Sequence, residues 1–233
     1  NGLLEKLENQ RHSTEQFVAD LAHELKSPLS TMKTSVELLA DNDGGLARET
    51  RARLSQLLSK NLLRIDRTVM EILELAKTEK GLATDEKEVF DALQLLRALG
   101  SSDQKDLRHQ NSVVDLELNI SEEKGMKVVG SAASLSRAVG NLLDNAIAHA
   151  RSRIILTGEI RNNVLEIVVS DDGPGIPEDD LPKLFDRFFT RKEGGTGLGL
   201  AMVKAIAEAH NGSVEATSTN EGATLTLEVP LVA

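Results

Sequence analysis

The chain has 233 residues, a formal net charge of −10 and 40% hydrophobic residues, with only 2% aromatic residues and no Trp, Tyr or Cys. This length allows one or two domains, whose core must be aliphatic. The negative charge argues against nucleic acid as a partner, because phosphate backbones are bound by basic protein faces. Without cysteine, the chain has neither disulfides nor thiolate metal sites.

The sequence contains no apolar run of the ~18 residues that can cross a bilayer and no signal peptide, so we expect no membrane contact from this chain. It also contains no internal repeats or low-complexity segments. The chain starts at Asn1, already within a helical pattern, which suggests an excerpt of a longer protein.

The first segment, residues 3–41, has the pattern of one long amphipathic helix that Pro28 should kink. His23 lies about 200° around this helix from Leu21 and Leu25, so it should point away from the apolar stripe. Because it lies beside Glu24, this imidazole is a candidate nucleophile. The alternative, a solvated His-Glu pair on the helix surface, is more frequent for this pattern alone. The apolar stripe consists of Phe17, Leu21, Leu25, Leu29, Met32, Val36 and Leu39.

A second helical stripe follows the turn at residues 41–45 and ends near Gly81. Two long helices joined by a short loop form an antiparallel hairpin with one apolar face and little core of its own. We therefore expect a homodimer in which two hairpins form a four-helix bundle. The second stripe consists of Leu54, Leu58, Leu62, Ile65, Val69, Ile72 and Ala76.

After a polar linker at about residues 80–87, strands and helices are interspersed, which predicts an α/β domain. We place the domains at residues 1–82 and 83–233. Ser131 is a plausible cap for one helix. The expected helices are 91–99, 131–150 and 197–210, and the expected strands are 113–120, 126–129, 153–159, 164–170, 212–217 and 223–229.

The predicted helix from residue 131 carries two asparagines, Asn141 and Asn145, on one face. Amide oxygens at this spacing can supply part of the shell of a hard cation such as Mg²⁺, with phosphate and water completing it. The alternative is a pair of surface asparagines, which is the more frequent occurrence for this motif alone.

A second motif, residues 171–177, directly follows a predicted strand. Asp171 could accept a hydrogen bond from an exocyclic amine, and the glycines at 173 and 175 would let backbone approach a flat ring. Asp-Gly-Pro-Gly is equally suited to an ordinary turn.

A third motif, residues 194–200, is a glycine-rich loop that opens a helix, which suits phosphate groups. It matches neither the dinucleotide fingerprint nor a P-loop. The polar segment before it, residues 177–194, indicates a lid whose aromatic and cationic side chains, Phe188, Arg187 and Lys192 among them, could dock it and reach phosphate. A surface loop is the alternative interpretation.

Together, in this order, these motifs resemble those of the sensor histidine kinases of two-component signalling over essentially the whole chain. Residues 23–29 resemble the phospho-acceptor box, 141–149 the asparagine box, 171–176 and 195–200 the two glycine boxes, and 184–189 the phenylalanine box. The resemblance implies a GHKL-type α/β sandwich, the fold shared with gyrase, a heat-shock chaperone and the mismatch-repair ATPases.

The resemblance also implies roles. His23 would accept the phosphoryl group with help from Glu24, Asn145 would hold Mg²⁺ with Asn141 assisting, and Asp171 would bind the adenine amine. ATP would be the substrate and ADP the product. The residues expected at the nucleotide are Asn141, Asn145, His149, Asp171, Gly173, Gly175, Ile176, Arg187, Phe188, Lys192, Gly195, Thr196, Gly197, Leu198, Gly199 and Leu200.

The chain departs from the family pattern at two positions. Ala148 stands where the family often has a cation, which Arg187, Arg191 or Lys192 would have to replace. Ser27 stands where Thr or Asn is common, so dephosphorylation of the partner stays open. His12, His109 and His210 have no expected role beyond structure or solvation.

The implied function is autophosphorylation of His23, followed by transfer to an Asp of a separate response regulator. A hydrolytic GHKL-type ATPase is disfavoured because Asn141 replaces the Glu that would activate water. A degenerate, non-catalytic dimeric scaffold is the other alternative. By family habit, we expect the chain to be the cytoplasmic part of a membrane-anchored sensor.

Overall fold

The computed structural model describes residues 2–40, 47–81, 88–109, 113–122, 127–192 and 195–231. The predicted turn at 41–45 and the predicted domain boundary after residue 82 lie outside these residues, and the boundary stays a prediction. Two compact units are formed, one by residues 1–73 with 187–198 and the other by residues 74–186 with 199–233.

Two long helices, α1 (Gly2–Ala40) and α2 (Arg48–Gly81), form the predicted helical hairpin. Helix α1 continues through Pro28, which is buried. Ser35 and Thr68 are also buried, and each hydroxyl donates a hydrogen bond to the carbonyl four residues earlier, at 2.8 Å and 2.9 Å respectively. These polar side chains are thus satisfied within their own helices.

The predicted apolar stripes are only partly covered in the single chain. Leu29 and Val36 on α1 are each 53% exposed, and Leu62 on α2 is 58% exposed. Several exposed large apolar side chains on the same pair of helices are typical of an interaction face. The other exposed apolar residues of the hairpin are Val18, Leu38, Leu57, Leu63, Val69, Met70 and Leu73.

The second unit contains a five-stranded mixed sheet in the order β2-β4-β5-β7-β6, in which only β2 and β4 are parallel. A separate antiparallel pair joins β1 and β3. The strands are β1 (Glu88–Asp91), β2 (Asp115–Ile120), β3 (Lys127–Gly130), β4 (Arg153–Arg161), β5 (Val164–Asp171), β6 (Ser213–Thr219) and β7 (Gly222–Pro230).

Three helices pack on the sheet: α3 (Ala92–His109), α4 (Ala132–His149) and α5 (Gly199–Ala209). Alternate residues of the central strands are buried, as expected for a sheet with one covered face. The aliphatic core between helices and sheet includes Leu96, Leu135, Leu142, Ile154, Leu156, Leu165, Ile167, Val203, Leu225 and Leu227, all fully buried. The predicted fold, a helical hairpin followed by an α/β sandwich, is confirmed.

Helix α3 is longer than predicted. The expected end was residue 99, but α3 continues through Gly100 to His109. A Cβ on Gly100 would come within 2.4 Å of Leu118 Cδ2, so glycine here permits close helix–sheet packing. The short strand β1 was not predicted, because it consists of four residues that pair with the distant β3.

The end of α2 belongs to the second unit. Leu75 is buried, Thr78 Oγ1 lies 3.6 Å from Met202 Sδ on α5, and Glu74 forms an ion pair with Arg137 on α4. The last two turns of α2 therefore pack on the sandwich's helical layer.

His210 has a structural role, as expected. Its Nδ1 is hydrogen-bonded to the carbonyl of Ile206 at 2.8 Å, and the Ser131 amide donates to its Nε2 at 3.3 Å. The Ser131 hydroxyl in turn accepts a hydrogen bond from the Ser134 amide, which caps α4. The position of α4, which carries the asparagine motif, is thus fixed from its first residue.

Candidate active site

His23 lies on an exposed part of α1, and its imidazole makes no hydrogen bond among the described residues. Glu24, half-buried, faces α2 instead. Its Oε2 accepts a hydrogen bond from Arg64 Nη2 at 3.1 Å. The unprotonated nitrogen of the neutral imidazole is therefore open to a reactant, while the neighbouring carboxylate is held in place.

Ser27 is exposed one turn after His23. Its carbonyl accepts a hydrogen bond from Thr31 Oγ1 at 3.2 Å. The buried Pro28 that follows has no N–H, so the carbonyl of Glu24 lacks its usual helical partner. The motif at residues 23–29 thus combines exposed polar groups with one buried proline.

The asparagine motif lies on α4, as predicted. Asn141 and Asn145 are half-buried, and neither side chain has a hydrogen-bond partner among the described residues. The side-chain oxygen of Asn141, Oδ1, faces the start of α5, where a Cβ on Gly199 would lie 3.3 Å from it. Two unpaired amides on one face suit an oxygen-seeking cation better than they suit packing.

Asp171, the last residue of β5, is 9% exposed. Its Oδ1 accepts a hydrogen bond from the Gly173 amide at 2.8 Å, the only hydrogen bond to this carboxylate in the described part of the chain. The second oxygen can therefore accept a bond from a ligand amine. Gly173 also lies against α4, since a Cβ there would come within 2.6 Å of the His149 carbonyl.

The neighbouring Asp172 is structural. Its carboxylate accepts hydrogen bonds from the Arg151 amide at 2.8 Å and from Ser152 Oγ at 2.6 Å and the Ser152 amide at 3.0 Å. The hydrogen bonds from the Ser152 side chain and backbone hold the pKa of Asp172 well below its usual range. Asp172 thus ties the end of β5 to the loop between α4 and β4.

The loop after Asp171 is supported by the β6–β7 hairpin. Ser218 Oγ accepts a hydrogen bond from the Ile176 amide at 2.6 Å. Gly175 has φ = +76°, and a Cβ there would lie 2.0 Å from the Thr219 carbonyl, so only glycine fits. Ser218 was missed in the sequence, because its contact spans more than forty residues and lacks a local motif.

The lid segment contains a 3₁₀ helix, Glu178–Lys183, and is otherwise irregular; residues 193 and 194 lie outside the described part. Phe188 has φ = +64°, and its amide donates to the Gly197 carbonyl at 2.9 Å. Gly197 has φ = +68°, and a Cβ there would lie 2.4 Å from the Phe188 carbonyl carbon. The backbone of the lid segment at Phe188 is therefore packed directly against the glycine-rich loop at Gly197.

Within the first unit, this segment contacts α1, and the glycine-rich loop that follows it contacts α2. The Phe188 ring stacks on Phe17 with centroids 5.8 Å apart, and the Arg187 guanidinium lies 5.0 Å from the centre of the same Phe17 ring. Thr196 donates a hydrogen bond from its hydroxyl to the carboxylate of Glu71. Leu198 is fully buried, whereas Lys192 is exposed.

The residues around α4 and Asp171 fit a Mg²⁺–nucleotide ligand. Asn141 and Asn145 offer uncommitted oxygens, and Asp171 keeps a free carboxylate oxygen at a strand end. Among the described residues, no three His, Asp or Glu side chains are grouped to hold a metal ion. These residues could therefore supply part of the ligand shell of a cation, with phosphate oxygens and water supplying the rest.

Two family models match this chain. The His Kinase A (phospho-acceptor) domain matches residues 13–81, and the histidine kinase-, DNA gyrase B- and HSP90-like ATPase matches residues 130–233.

None of the helices described here is both long and apolar enough to cross a membrane.

Curated relatives match along nearly the whole chain. It is 29% identical over 240 residues to the signal transduction histidine-protein kinase BaeS of Escherichia coli (strain K12), which covers 99% of this chain and 50% of BaeS. It is 31% identical over 236 residues to the signal transduction histidine-protein kinase/phosphatase MprB of Mycobacterium sp. (strain KMS), with 95% and 44% covered. The chain spans about half the length of these relatives.

Solved structures share the fold. Histidine kinase ThkA in complex with the response regulator protein TrrA superposes with a TM-score of 0.73 at 22% identity, covering 97% of this chain and 66% of that one. Full-length ShkA in complex with AMPPNP superposes with a TM-score of 0.66 at 22% identity, covering 94% and 46%.

Proposed function

Because the chain belongs to the sensor histidine kinases of two-component signalling, we propose that it is an ATP-dependent protein kinase that phosphorylates its own His23. The observation that carries the proposal is the exposed imidazole of His23, which has no hydrogen bond among the described residues and lies in the phospho-acceptor helix. A neutral imidazole is a competent nucleophile near pH 7.

In the proposed reaction, His23 Nε2 attacks the γ-phosphorus of ATP. A nitrogen–phosphorus bond forms, the bond from that phosphorus to the bridging oxygen breaks, and ADP leaves. The proton on Nδ1 passes to Glu24. The chain's own contribution is positioning and charge stabilisation, which dominate phosphoryl transfer.

In the proposed nucleotide site, Asp171 would accept a hydrogen bond from the adenine amine, and Gly173, Gly175 and Ile176 would form the wall beside the ring. Asn145 and Asn141 would hold Mg²⁺, whose role is to neutralise the phosphate charge. Further contacts would come from His149, from the lid residues Arg187, Phe188 and Lys192, and from the glycine-rich loop Gly195, Thr196, Gly197, Leu198, Gly199 and Leu200.

We further propose that the phosphoryl group passes to an Asp of a separate response regulator. ThkA, a structural neighbour, is solved with such a partner. The relative MprB is named a kinase/phosphatase, which supports a second activity. In this activity the chain would dephosphorylate the response regulator, and Ser27 would orient the attacking water. The exposed apolar residues of both hairpin helices support a homodimer. Use of ATP would require a cytoplasmic location, and family habit alone suggests that the chain belongs to a membrane-anchored sensor.

The test is incubation with γ-labelled ATP and Mg²⁺, comparing wild type with His23→Ala and Asn145→Ala. We expect acid-labile, alkali-stable label on wild type and none on either variant. Nucleotide binding should survive in His23→Ala and fail in Asn145→Ala. Label retained by His23→Ala would contradict the proposal. Phosphate release without protein label would indicate an ATPase, and binding without either would indicate a scaffold.

A further inference from the structure

The ion pair between Glu24 and Arg64 crosses from α1 to α2 at the level of His23. It joins Glu24 Oε2 to Arg64 Nη2 at 3.1 Å, with the two side chains 27% and 29% exposed. This ion pair therefore lies next to His23, the proposed acceptor of the phosphoryl group, because Glu24 is the residue that follows it. Its location needs an explanation beyond stability, because a half-exposed pair contributes only ~0–1 kcal/mol.

The hydrogen bond occupies only one oxygen of Glu24. Oε1 accepts no hydrogen bond within the described residues, and the imidazole of His23 is likewise uncommitted. A carboxylate fixed through one oxygen keeps the other available for a neighbouring N–H. The same arrangement, in which a second group orients the partner of a nucleophile, is the general logic of catalytic triads.

We propose that Arg64 is a positioning residue that fixes Glu24, so that the free carboxylate oxygen can take the His23 Nδ1 proton during phosphoryl transfer. This inference rests on the proposed function and adds a residue to it. Arg64 acts through Glu24 and touches neither nucleotide nor imidazole. Its guanidinium is a planar group whose donors have a fixed geometry, so it can hold the carboxylate in one orientation.

Loss of Arg64 would free the Glu24 side chain to sample several rotamers. Misplacement of a catalytic group by about 1 Å lowers a rate on the order of a hundredfold at most. Glu24 is one contributor among several, so we expect Arg64→Met to lower the maximal autophosphorylation rate about tenfold. The KM for ATP should stay within twofold, because the nucleotide residues are untouched.

The experiment measures phosphorylation of His23 in the whole chain at saturating Mg-ATP for wild type, Arg64→Met, Arg64→Lys, Glu24→Gln and the Arg64→Met/Glu24→Gln double variant. Arg67→Met is the matched control, because Arg67 is an exposed arginine three residues further along the same helix. Melting temperatures verify that each variant folds.

If Arg64 acts through Glu24, Arg64→Lys recovers most of the rate, and Arg64→Met adds no further loss in the Glu24→Gln background. Arg67→Met stays at the wild-type rate. A wild-type rate in Arg64→Met, or losses that multiply in the double variant, would overturn the proposal. Absence of label on wild type would overturn the proposed function itself, and with it this inference.

Discussion

Neighbouring residues with similar chemistry have different roles in this chain. Asp171 keeps a carboxylate oxygen available, whereas every described contact of Asp172 ties the backbone together. His23 is exposed and unpartnered among the described residues, whereas His210 is buried and hydrogen-bonded through both ring nitrogens. The sequence predicted these distinctions for His23 and Asp171 through motifs, and left Asp172 without a role.

Asp171→Asn should weaken ATP binding at least tenfold, because a charged acceptor for the adenine amine is lost. Titration with a fluorescent ATP analogue measures this. Glu215→Gln, an exposed charge-matched change on β6, should bind normally. Equal affinity of Asp171→Asn and wild type would remove Asp171 from the adenine site.

Asp172→Asn should destabilise the fold in a pH-dependent way. Because the folded-state pKa of Asp172 lies well below its usual range, its stabilisation is fully present above the unfolded pKa of about 4. It is lost as pH falls further, towards the folded pKa. Urea unfolding of wild type and variant should differ most above pH 5 and converge progressively below about pH 4. A difference that is constant from pH 7 to pH 3 would contradict the assignment.

At the scale of elements, the lid segment contacts α1 through the Phe17–Phe188 aromatic pair, and the glycine-rich loop that follows contacts α2 through the Thr196–Glu71 hydrogen bond. Thr196 donates to a charged acceptor in this contact, and such hydrogen bonds are stronger than those between neutral groups.

Glu71→Gln keeps the side chain's shape and replaces a charged acceptor of the Thr196 hydroxyl with a neutral one, so it should weaken this contact and lower the free energy of unfolding by about 1 kcal/mol. Urea unfolding of both proteins measures the effect, with Asp66→Asn, an exposed change on the same helix, as the control. An unchanged free energy of unfolding in Glu71→Gln would show that the charge of the acceptor does not matter to this contact.

Several elements could not be predicted from the sequence for physical reasons. Strand β1 exists only through pairing with β3, and the length of α3 depends on Gly100, whose lack of a side chain permits packing on Leu118. The contacts of Arg64 and Ser218 span 40 and 42 residues, which no local pattern encodes. The helices and the central strands were predictable, because periodicity and turn chemistry are local, whereas the nucleotide-binding roles of the three motifs stay predictions.

At the scale of the whole molecule, the exposed leucines and valines of the hairpin indicate that one chain does not complete the first domain's core. A Leu62→Glu/Val69→Glu variant places charge on this face and should be monomeric at micromolar concentration, whereas we expect the wild type to be dimeric. Light scattering after size exclusion measures the mass. Lys60→Glu, an exposed change on the same helix, should remain dimeric. A monomeric wild type would contradict the dimer.

In the proposed reaction, His23 receives the phosphoryl group from ATP. The most direct measurement is mass-spectrometric mapping of the modified residue after incubation with Mg-ATP and digestion under alkaline conditions, which preserve phosphohistidine. We expect one phosphoryl group on the peptide that contains His23, and none in the Asn145→Ala protein. A phosphoryl group on any other residue, or an unmodified His23 peptide from wild type that binds ATP, would contradict it.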